Sequence, residues 1–257
     1  MGDNVKFFKD NVIDSNGTFT LTSANTNLTS YLYDNDYTTQ LESSGSNDAT
    51  PEVWEIEFTA AKTIDRIFIA NHNIKSGELK YWTGAAWASF TSAVSWSDNA
   101  DDYSYFEVTQ VSTLKLQLTM NTTIVINAEK KVGQIRAMES LGEVVVNPSD
   151  VKFSWKKRKQ SHITATGGNT LVVFGKKYQG KFIFSDADLT DVALFETLDD
   201  LNESFFIYPG GGDTAKTNYG FRIRDLFLVN FVNDFAPNPK DGLLGIGSVV
   251  QMQVAEV

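Results

Sequence analysis

Apolar and polar residues alternate along much of this chain, with the period of two that is typical of half-buried β-strands. The segment 53–58, VWEIEF, places Trp54, Ile56 and Phe58 on one side and two glutamates on the other. Because about eight such short strands occur at regular spacing before residue 142, we predict a β-sandwich of the jelly-roll type. The other strand or hairpin segments that the pattern indicates are 63–74, 77–90, 103–110, 112–121 and 133–144.

Helical spacing is not convincing anywhere before residue 140. Residues 17–32 alternate apolar positions with Thr and Ser, and we predict short strands or an extended segment there. The same alternation predicts that Leu114, Leu116 and Leu118 share one face of their strand.

A second part of the chain follows Asn147-Pro148, where a turn breaks any continuing strand. It contains the one good helical pattern, at about 186–202, with Ser185 or Asp186 as the predicted N-cap. Strand-like segments surround this helix, so we predict a β-sandwich with one flanking helix. The expected domains are therefore 1–146 and 147–257, and the chain as a whole is predicted to be mostly β.

The composition excludes several kinds of site. No cysteine occurs, which excludes disulfides, thiolate metal sites and cysteine nucleophiles and fits folding in a reducing cytosol. The formal net charge of −10 argues against nucleic acid as the main partner. No apolar stretch approaches the ~20 residues of a membrane span, and the N-terminus lacks the pattern of a signal peptide.

Catalytic motifs are also missing from the sequence. It has no nucleophile elbow, no zinc-protease motif, no P-loop and no dinucleotide fingerprint. Of the two histidines, His72 is predicted to be a hydrogen-bonded structural residue rather than a metal ligand. Glu55 and Glu57 lie on the polar side of a strand, which favours a surface location over a glycosidase pair. We therefore predict that the chain is not an enzyme and works by binding and assembly.

Basic residues concentrate in 151–181, which contains no acidic residue. One interpretation is a solvated pair of strands. The other is an interface with an acidic neighbour, for which the acidic first domain of another subunit is a candidate. The candidate interface residues are Lys152, Lys156, Lys157, Arg158, Lys159, Lys176, Lys177 and Lys181.

One loop has a spacing that suits metal ligands. Asp34, Asp36 and Thr38 alternate along a short turn, and alternate oxygen-bearing side chains can converge on calcium. The loop lacks the glycine and the terminal glutamate of an EF-hand. An ordinary Asx-turn is the alternative. Calcium is the one cofactor that the sequence suggests.

The first domain resembles the discoidin-like, or galactose-binding-like, jelly rolls. The resemblance covers about 15–142 and is carried by YLYDNDYTTQLESS, VWEIEFTAAKTIDRIFIANHNI and LKYWTGAAWASF. It implies a jelly-roll fold and a calcium at Asp34, Asp36 and Thr38. The tryptophan that usually follows the threonine is replaced by Gln40-Leu41, which departs from the family pattern.

The NHN after the second strong strand and the hairpin YWTGAAW look more like jelly rolls attached to bacteriophage tail proteins. In the second part, FFIYPGG and RIRDLFLVNFVNDF resemble the tail-tube-like fold of distal tail and tail-tip subunits. This resemblance implies a structural virion subunit that forms a homo-oligomeric ring with other tail subunits after synthesis in the host cytoplasm. The alternative is a carbohydrate-binding module or a host-receptor-binding protein, with a glycan as its partner.

Overall fold

The computed structural model describes residues 4–9, 11–36, 38–45, 47–91, 95–144, 150–163, 169–201, 203–208, 226–231 and 248–256. It is mostly β, which confirms the predicted fold class. The chain divides into two compact units. One unit is Asn11–Ser140, and the other combines Met1–Asp10 with Leu141–Val257. The jelly-roll unit is therefore an insert within the chain of the other unit.

The described residues of the insert form eight strands and a short 3-10 helix. That helix, Thr26–Leu32, occupies part of the segment for which we predicted extended chain. After β1 (Val5–Phe8), the strands are β2 (Thr18–Leu21), β3 (Leu41–Glu42), β4 (Glu52–His72), β5 (Ile74–Trp82), β6 (Trp87–Ser89), β7 (Ser95–Trp96), β8 (Tyr103–Thr123) and β9 (Lys131–Met138). The sheet runs β3-β9-β4-β8-β5-β6, with β2 beside β4 and β7 beside β5.

Two long strands organise this unit. β4 joins the segments 53–58 and 63–74, and β8 joins 103–110 and 112–121, which were predicted as separate strands. Register shifts interrupt the β4–β8 ladder between Glu57 and Lys62, so each strand continues across an irregularity instead of ending in a turn. The first half of β4 has β2 as its second neighbour, whereas the second half has β9.

The alternation predicted for β4 is confirmed by burial. Trp54, Ile56 and Phe58 are 0%, 2% and 5% exposed, and they belong to one apolar core with residues from both halves of the strand. The prediction for Leu114 is wrong, because this side chain is 41% exposed whereas Leu116 and Leu118 are buried. Leu114 lies beside the irregularity in the ladder, where the register with β4 shifts and the inward–outward alternation is lost.

Over the described part of the chain, the second unit contains one seven-stranded sheet with an α-helix packed on it. The elements are β10 (Ser140–Val144), β11 (Asp150–Ile163), β12 (Asn169–Ala187), α1 (Leu189–Asp200), β13 (Phe205–Tyr208), β14 (Phe227–Phe231) and β15 (Ser248–Glu256). The sheet order is β10-β1-β13-β14-β15-β12-β11. The flanking helix agrees with the prediction.

The domain boundaries of the structure differ from the predicted division after residue 146. Asn147-Pro148 lies outside the described residues. The first strand belongs to the second unit, because β1 pairs with β13 and buries Phe7 against Phe195 and Phe205. Burying these aromatic rings stabilises a pairing between strands that are distant in sequence.

The helix also begins later than predicted. Its N-cap is Asp188, whose carboxylate accepts a 2.9 Å hydrogen bond from the backbone N–H of Asp191. The Asp191 carboxylate in turn accepts from the backbone N–H of Asp188, which completes a capping box. Ser185 and Asp186 are part of β12, so neither of them caps the helix. No helix within the described parts of the chain is long and apolar enough to cross a membrane.

Candidate functional site

The structure brings the three predicted calcium ligands into one turn. An Asp34 carboxylate oxygen accepts from the backbone N–H of Asp36 at 2.8 Å. An Asp36 carboxylate oxygen accepts from both the backbone N–H and the hydroxyl of Thr38, at 2.8 and 2.7 Å. These hydrogen bonds from Thr38 lower the pKa of Asp36. The turn is thus held by bonds of the Asx type.

An amide nitrogen occupies the space among the oxygens of this turn. Nε2 of Gln134 donates to Oδ1 of Asp34 at 2.6 Å and to the backbone oxygen of Tyr31 at 2.9 Å. Over the described residues, no group of three or more His, Asp or Glu side chains is placed to hold a metal. As placed, these side chains present a donor to the oxygens and do not fit a cation. Calcium binding at Asp34, Asp36 and Thr38 stays a prediction.

His72 belongs to the same unit and is buried, with 3% of its surface exposed. Its Nδ1 accepts a hydrogen bond from the backbone N–H of Ile74 at 3.0 Å, and its Nε2 lies 3.0 Å from the hydroxyl of Ser104. Burial lowers the pKa of the ring, so His72 is neutral with its proton on Nε2. Both ring nitrogens are engaged in the fold, in agreement with a structural role.

The basic stretch forms the long antiparallel pair β11–β12 in the second unit. For most of its residues the structure describes the backbone and the strand register. That register sets lysines directly opposite one another, an arrangement that is unfavourable in isolation because like charges repel across a ladder. The opposed pairs are Lys152 with Lys181, Lys156 with Lys177, and Lys157 with Lys176.

A different set of side chains forms the strongest candidate binding site. On the sheet face that points away from the apolar core of the jelly-roll unit, four adjacent strands present aromatic, charged and amide groups together. We call this surface the outer face. It consists of Glu55 and Glu57 on β4, Lys115 and Gln117 on β8, Glu78, Lys80 and Trp82 on β5, and Trp87 and Ser89 on β6.

Two tryptophans form the apolar part of the outer face. Trp82 and Trp87 are directly opposite each other in the β5–β6 hairpin, with ring centroids 5.4 Å apart at 70°. Both are partly exposed. Nζ of Lys115 lies 6.0 Å from the Trp82 ring and 2.7 Å from a carboxylate oxygen of Glu57. The row across the sheet therefore runs from a carboxylate through an ammonium group to two indole rings.

A second row of polar groups runs parallel to the first. Nε2 of Gln117 donates to Glu55 at 2.8 Å. Glu78 accepts from Lys80 at 2.8 Å and from the hydroxyl of Ser89 at 2.7 Å. These two hydrogen bonds lower the pKa of Glu78, with the bond from Lys80 as the larger cause. With three glutamates and two lysines, the outer face has a formal charge of −1.

The sequence predicted the location of some residues of the outer face but not that they lie together on one surface. Glu55 and Glu57 were predicted to lie at the surface, and Glu57 has a side chain that is 52% exposed. Trp82 and Trp87 were recognised as flanking a hairpin. The pairing of β5 with β6 sets Trp82 opposite Trp87, and the register in which β5 pairs with β8, with Lys80 opposite Gln117, brings this hairpin beside the polar groups of β8 and β4. Cross-strand register of this kind is not encoded in the local alternation pattern.

No protein-family model matches the sequence, and no curated protein matches it. Several solved structures are similar to about half of the chain. The family 32 carbohydrate-binding module of NanJ from Clostridium perfringens, in complex with galactose, is 16% identical over 51% of this chain and 98% of its own, with a TM-score of 0.42.

Two further structures are similar at the same level. A Clostridium perfringens module in complex with GalNAc-β-1,3-galactose is 14% identical over 50% of this chain and 99% of its own, with a TM-score of 0.41. Chitosan-binding module 1 of a chitosanase/glucanase from Paenibacillus sp. IK-5 is 12% identical over 48% and 94%, with a TM-score of 0.40. At these values the similarity establishes neither a family nor a ligand for this chain.

Proposed function

We propose that the jelly-roll unit is a saccharide-binding module and that its ligand lies on the outer face. The observation that carries the proposal is the pair of partly exposed tryptophans next to a row of paired polar side chains. A pyranose ring has one face of C–H groups and a rim of hydroxyl groups. The indole rings can pack against the C–H face, and the polar side chains can form hydrogen bonds with the hydroxyl groups.

The apolar contribution comes from the tryptophans. A tryptophan side chain offers a large rigid surface whose ordering costs little conformational entropy, which is why it often dominates binding surfaces. Because Trp82 packs against Trp87 and lies beside Lys115, its ring is already held before a ligand arrives. Preorganisation of this kind reduces the entropic cost of binding.

The polar contribution favours a neutral ligand rich in hydroxyl groups. Glu57 and Lys115 form an ion pair, and Glu55 is bonded to the amide of Gln117. Such paired groups keep fixed directions and still offer further acceptors and donors to hydroxyls. With a formal charge of −1, the surface has no excess of positive charge that would attract a nucleic acid. The proposed role is binding without catalysis.

The surface is open, so a single sugar unit is expected to bind weakly, with a Kd on the order of 1 mM. Isothermal titration or NMR titration with galactose, GalNAc-β-1,3-galactose and chitotriose tests the proposal. The first two are present in the Clostridium perfringens structures named above, and chitotriose is present in a structure of chitosan-binding module 2 from the same Paenibacillus chitosanase/glucanase. Replacing Trp87 by alanine removes one of the two rings and is expected to weaken binding at least about tenfold, the equivalent of one lost contact of about 1.4 kcal/mol.

Two control variants accompany Trp87→Ala. Trp87→Phe keeps an aromatic ring and is expected to retain most of the affinity. Ile126→Ala changes an apolar side chain that is 78% exposed in the turn after β8, outside the outer face, and it should bind like the wild type. If Trp87→Ala binds an identified sugar as tightly as the wild type while remaining folded, the outer face is not the ligand site.

A second candidate function is assembly through the β11–β12 pair, and the opposed lysines favour it. We propose that an acidic surface of another subunit offsets their repulsion, steers the encounter and fixes its register, as in a tail-like ring. None of the similar structures named above is a tail protein, so this candidate rests on the strand register.

Reversing Lys156, Lys157 and Lys159 to glutamate tests the assembly candidate. The change is expected to leave the fold intact and to reduce the oligomeric mass measured by light scattering. Wild-type oligomers should also dissociate as salt rises, because exposed charge pairs are screened. A wild-type protein that stays monomeric at low salt, or a triple variant that assembles normally, would show that these lysines are merely solvated.

A further inference from the structure

Gln134 is a polar residue at the centre of the buried strand β9, and it is fully buried. Its carboxamide faces the loop that carries the predicted calcium ligands. Nε2 donates to Oδ1 of Asp34 at 2.6 Å, to the backbone oxygen of Tyr31 at 2.9 Å and to that of Asp36 at 3.3 Å. Oε1 accepts from the backbone N–H of Asn35 at 3.2 Å. A single side chain thus contacts four residues of this segment.

The partners of the carboxamide determine its orientation. Three oxygens converge on one of its ends, and a backbone N–H points at the other. With the amide reversed, its oxygen would face three oxygens and its nitrogen would face an N–H. Each of those contacts would be repulsive, so the donor end belongs among the oxygens. Oxygens that converge from one loop are the usual surroundings of a calcium ion.

Positive charge is already present beside this cluster. Arg136 lies two residues further along β9, is 2% exposed and donates from Nη2 to the side-chain oxygen of Asn35 at 3.2 Å. Its guanidinium is permanently charged and lies 5.8 Å from the ring of Phe68. A divalent cation at the centre of the loop would be repelled by this charge, whereas a neutral amide is not.

The loop is also held by a close approach of the backbone next to Gln134. A Cβ built on Gly133 would lie 2.8 Å from Cβ of Asn71 and 2.9 Å from the backbone oxygen of Thr39. Asn71, with a φ of 53°, accepts from the side chain of Gln40 at 2.8 Å. Gly133 and Gln134 together position the loop against β9.

We infer that the carboxamide of Gln134 fills the place of a cation and holds the Asp34 loop without metal. The resemblance to discoidin-like jelly rolls implies calcium at this loop, and the buried amide is the point at which this chain disagrees. The inference concerns the stability of the jelly-roll unit and is independent of the outer face. One substitution, Gln134→Glu, replaces the donor by a carboxylate and should convert the loop into a site that requires a cation.

The test is thermal unfolding of the whole chain in calcium chloride and in EDTA. The wild type is expected to melt at the same temperature in both buffers. Gln134→Glu is expected to melt at least about 5 °C lower in EDTA and to recover most of the loss in calcium. Gln110→Glu introduces the same charge at an exposed position of the same unit and should respond to neither buffer.

Two outcomes would overturn the inference. One is a wild-type unfolding temperature that rises with calcium. This result would indicate that a cation binds in the loop and that the carboxamide of Gln134 is reversed, with its oxygen toward the cation. The other is a Gln134→Glu variant that is as stable as the wild type in EDTA. Should Gln134→Glu fail to fold in either buffer, calorimetric titration of the wild type with calcium at two temperatures decides, because a loop filled by the carboxamide should bind no calcium and give no binding heat at either temperature.

Discussion

Protonation of His72 is expected to destabilise the jelly-roll unit in mild acid. The ring is buried, its Nδ1 accepts from the backbone N–H of Ile74 and its Nε2 donates to Ser104. A second ring proton would face that backbone N–H and would remove the bond. Burial is the largest cause of the low pKa of His72, about 4, and the charge of Asp102 opposes it in part.

The size of the effect follows from the difference between the folded and unfolded pKa of His72. The ring titrates at about 4 in the folded state and at 6.5 in the unfolded state. The unfolded chain therefore binds the proton first as pH falls, and the folded state loses stability. The contribution is intact above about pH 6.5, is reduced by about 2 kcal/mol at pH 5 and by about 3 kcal/mol below pH 4.

Urea unfolding between pH 8 and pH 4.5 measures this loss when the wild type is compared with His72→Asn. Asparagine retains an acceptor for the N–H of Ile74 but does not titrate, so the difference between the two proteins isolates the ring. Burial raises the pKa of Asp65 and of Asp191, and these carboxyl groups act equally in both proteins. A pH-independent difference, or an NMR titration of His72 with a midpoint near 6.5, would refute the reasoning.

Two further predictions concern the architecture. Gly133→Ala introduces the close contacts described above and should lower the free energy of unfolding by about 1–3 kcal/mol in urea titrations, whereas Gly17→Ala, whose new Cβ would meet only ordinary contacts, should change it by less than about 1 kcal/mol. A fragment of residues 11–140 should unfold cooperatively when followed by circular dichroism. The fragment 141–257 should not fold without a peptide that supplies β1, because β1 lies between β10 and β13 in the sheet. A fragment 141–257 that folds cooperatively on its own would contradict this sheet order.

The alternation of apolar residues was enough to predict which side chains of a strand are buried, and Trp54 and Ile56 are examples. It failed at Leu114, because an irregularity in the ladder shifts the alternation without any signal in the residue types. The membership of β1 in the second unit was missed for a different reason. Phe8 pairs with Phe206, and no local pattern contains a pairing between such distant segments.

The candidate site was predictable only in part. The sequence alone gives no reason for a polar residue such as Gln134 at the centre of a buried strand. The reason is found in the fold, which places the Asp34 loop within hydrogen-bonding distance of its carboxamide. The outer face likewise requires the order and register of four strands. The polar character of Glu55 and Glu57 followed from their alternation, whereas the residues beside them did not.

The insertion of one unit within the other implies an order of folding. During synthesis β1 emerges before the jelly roll, whereas its partner β13 emerges only after it. The insert can close early, because its two ends are tied by a bond from the backbone N–H of Val12 to the oxygen of Ala137 at 2.9 Å. Once closed, it acts as a short link between β1 and β10, which greatly reduces the entropy lost when these neighbouring strands meet. Closure of the jelly roll is therefore expected to favour the pairing of β1 with β10 in the sheet that surrounds it in sequence.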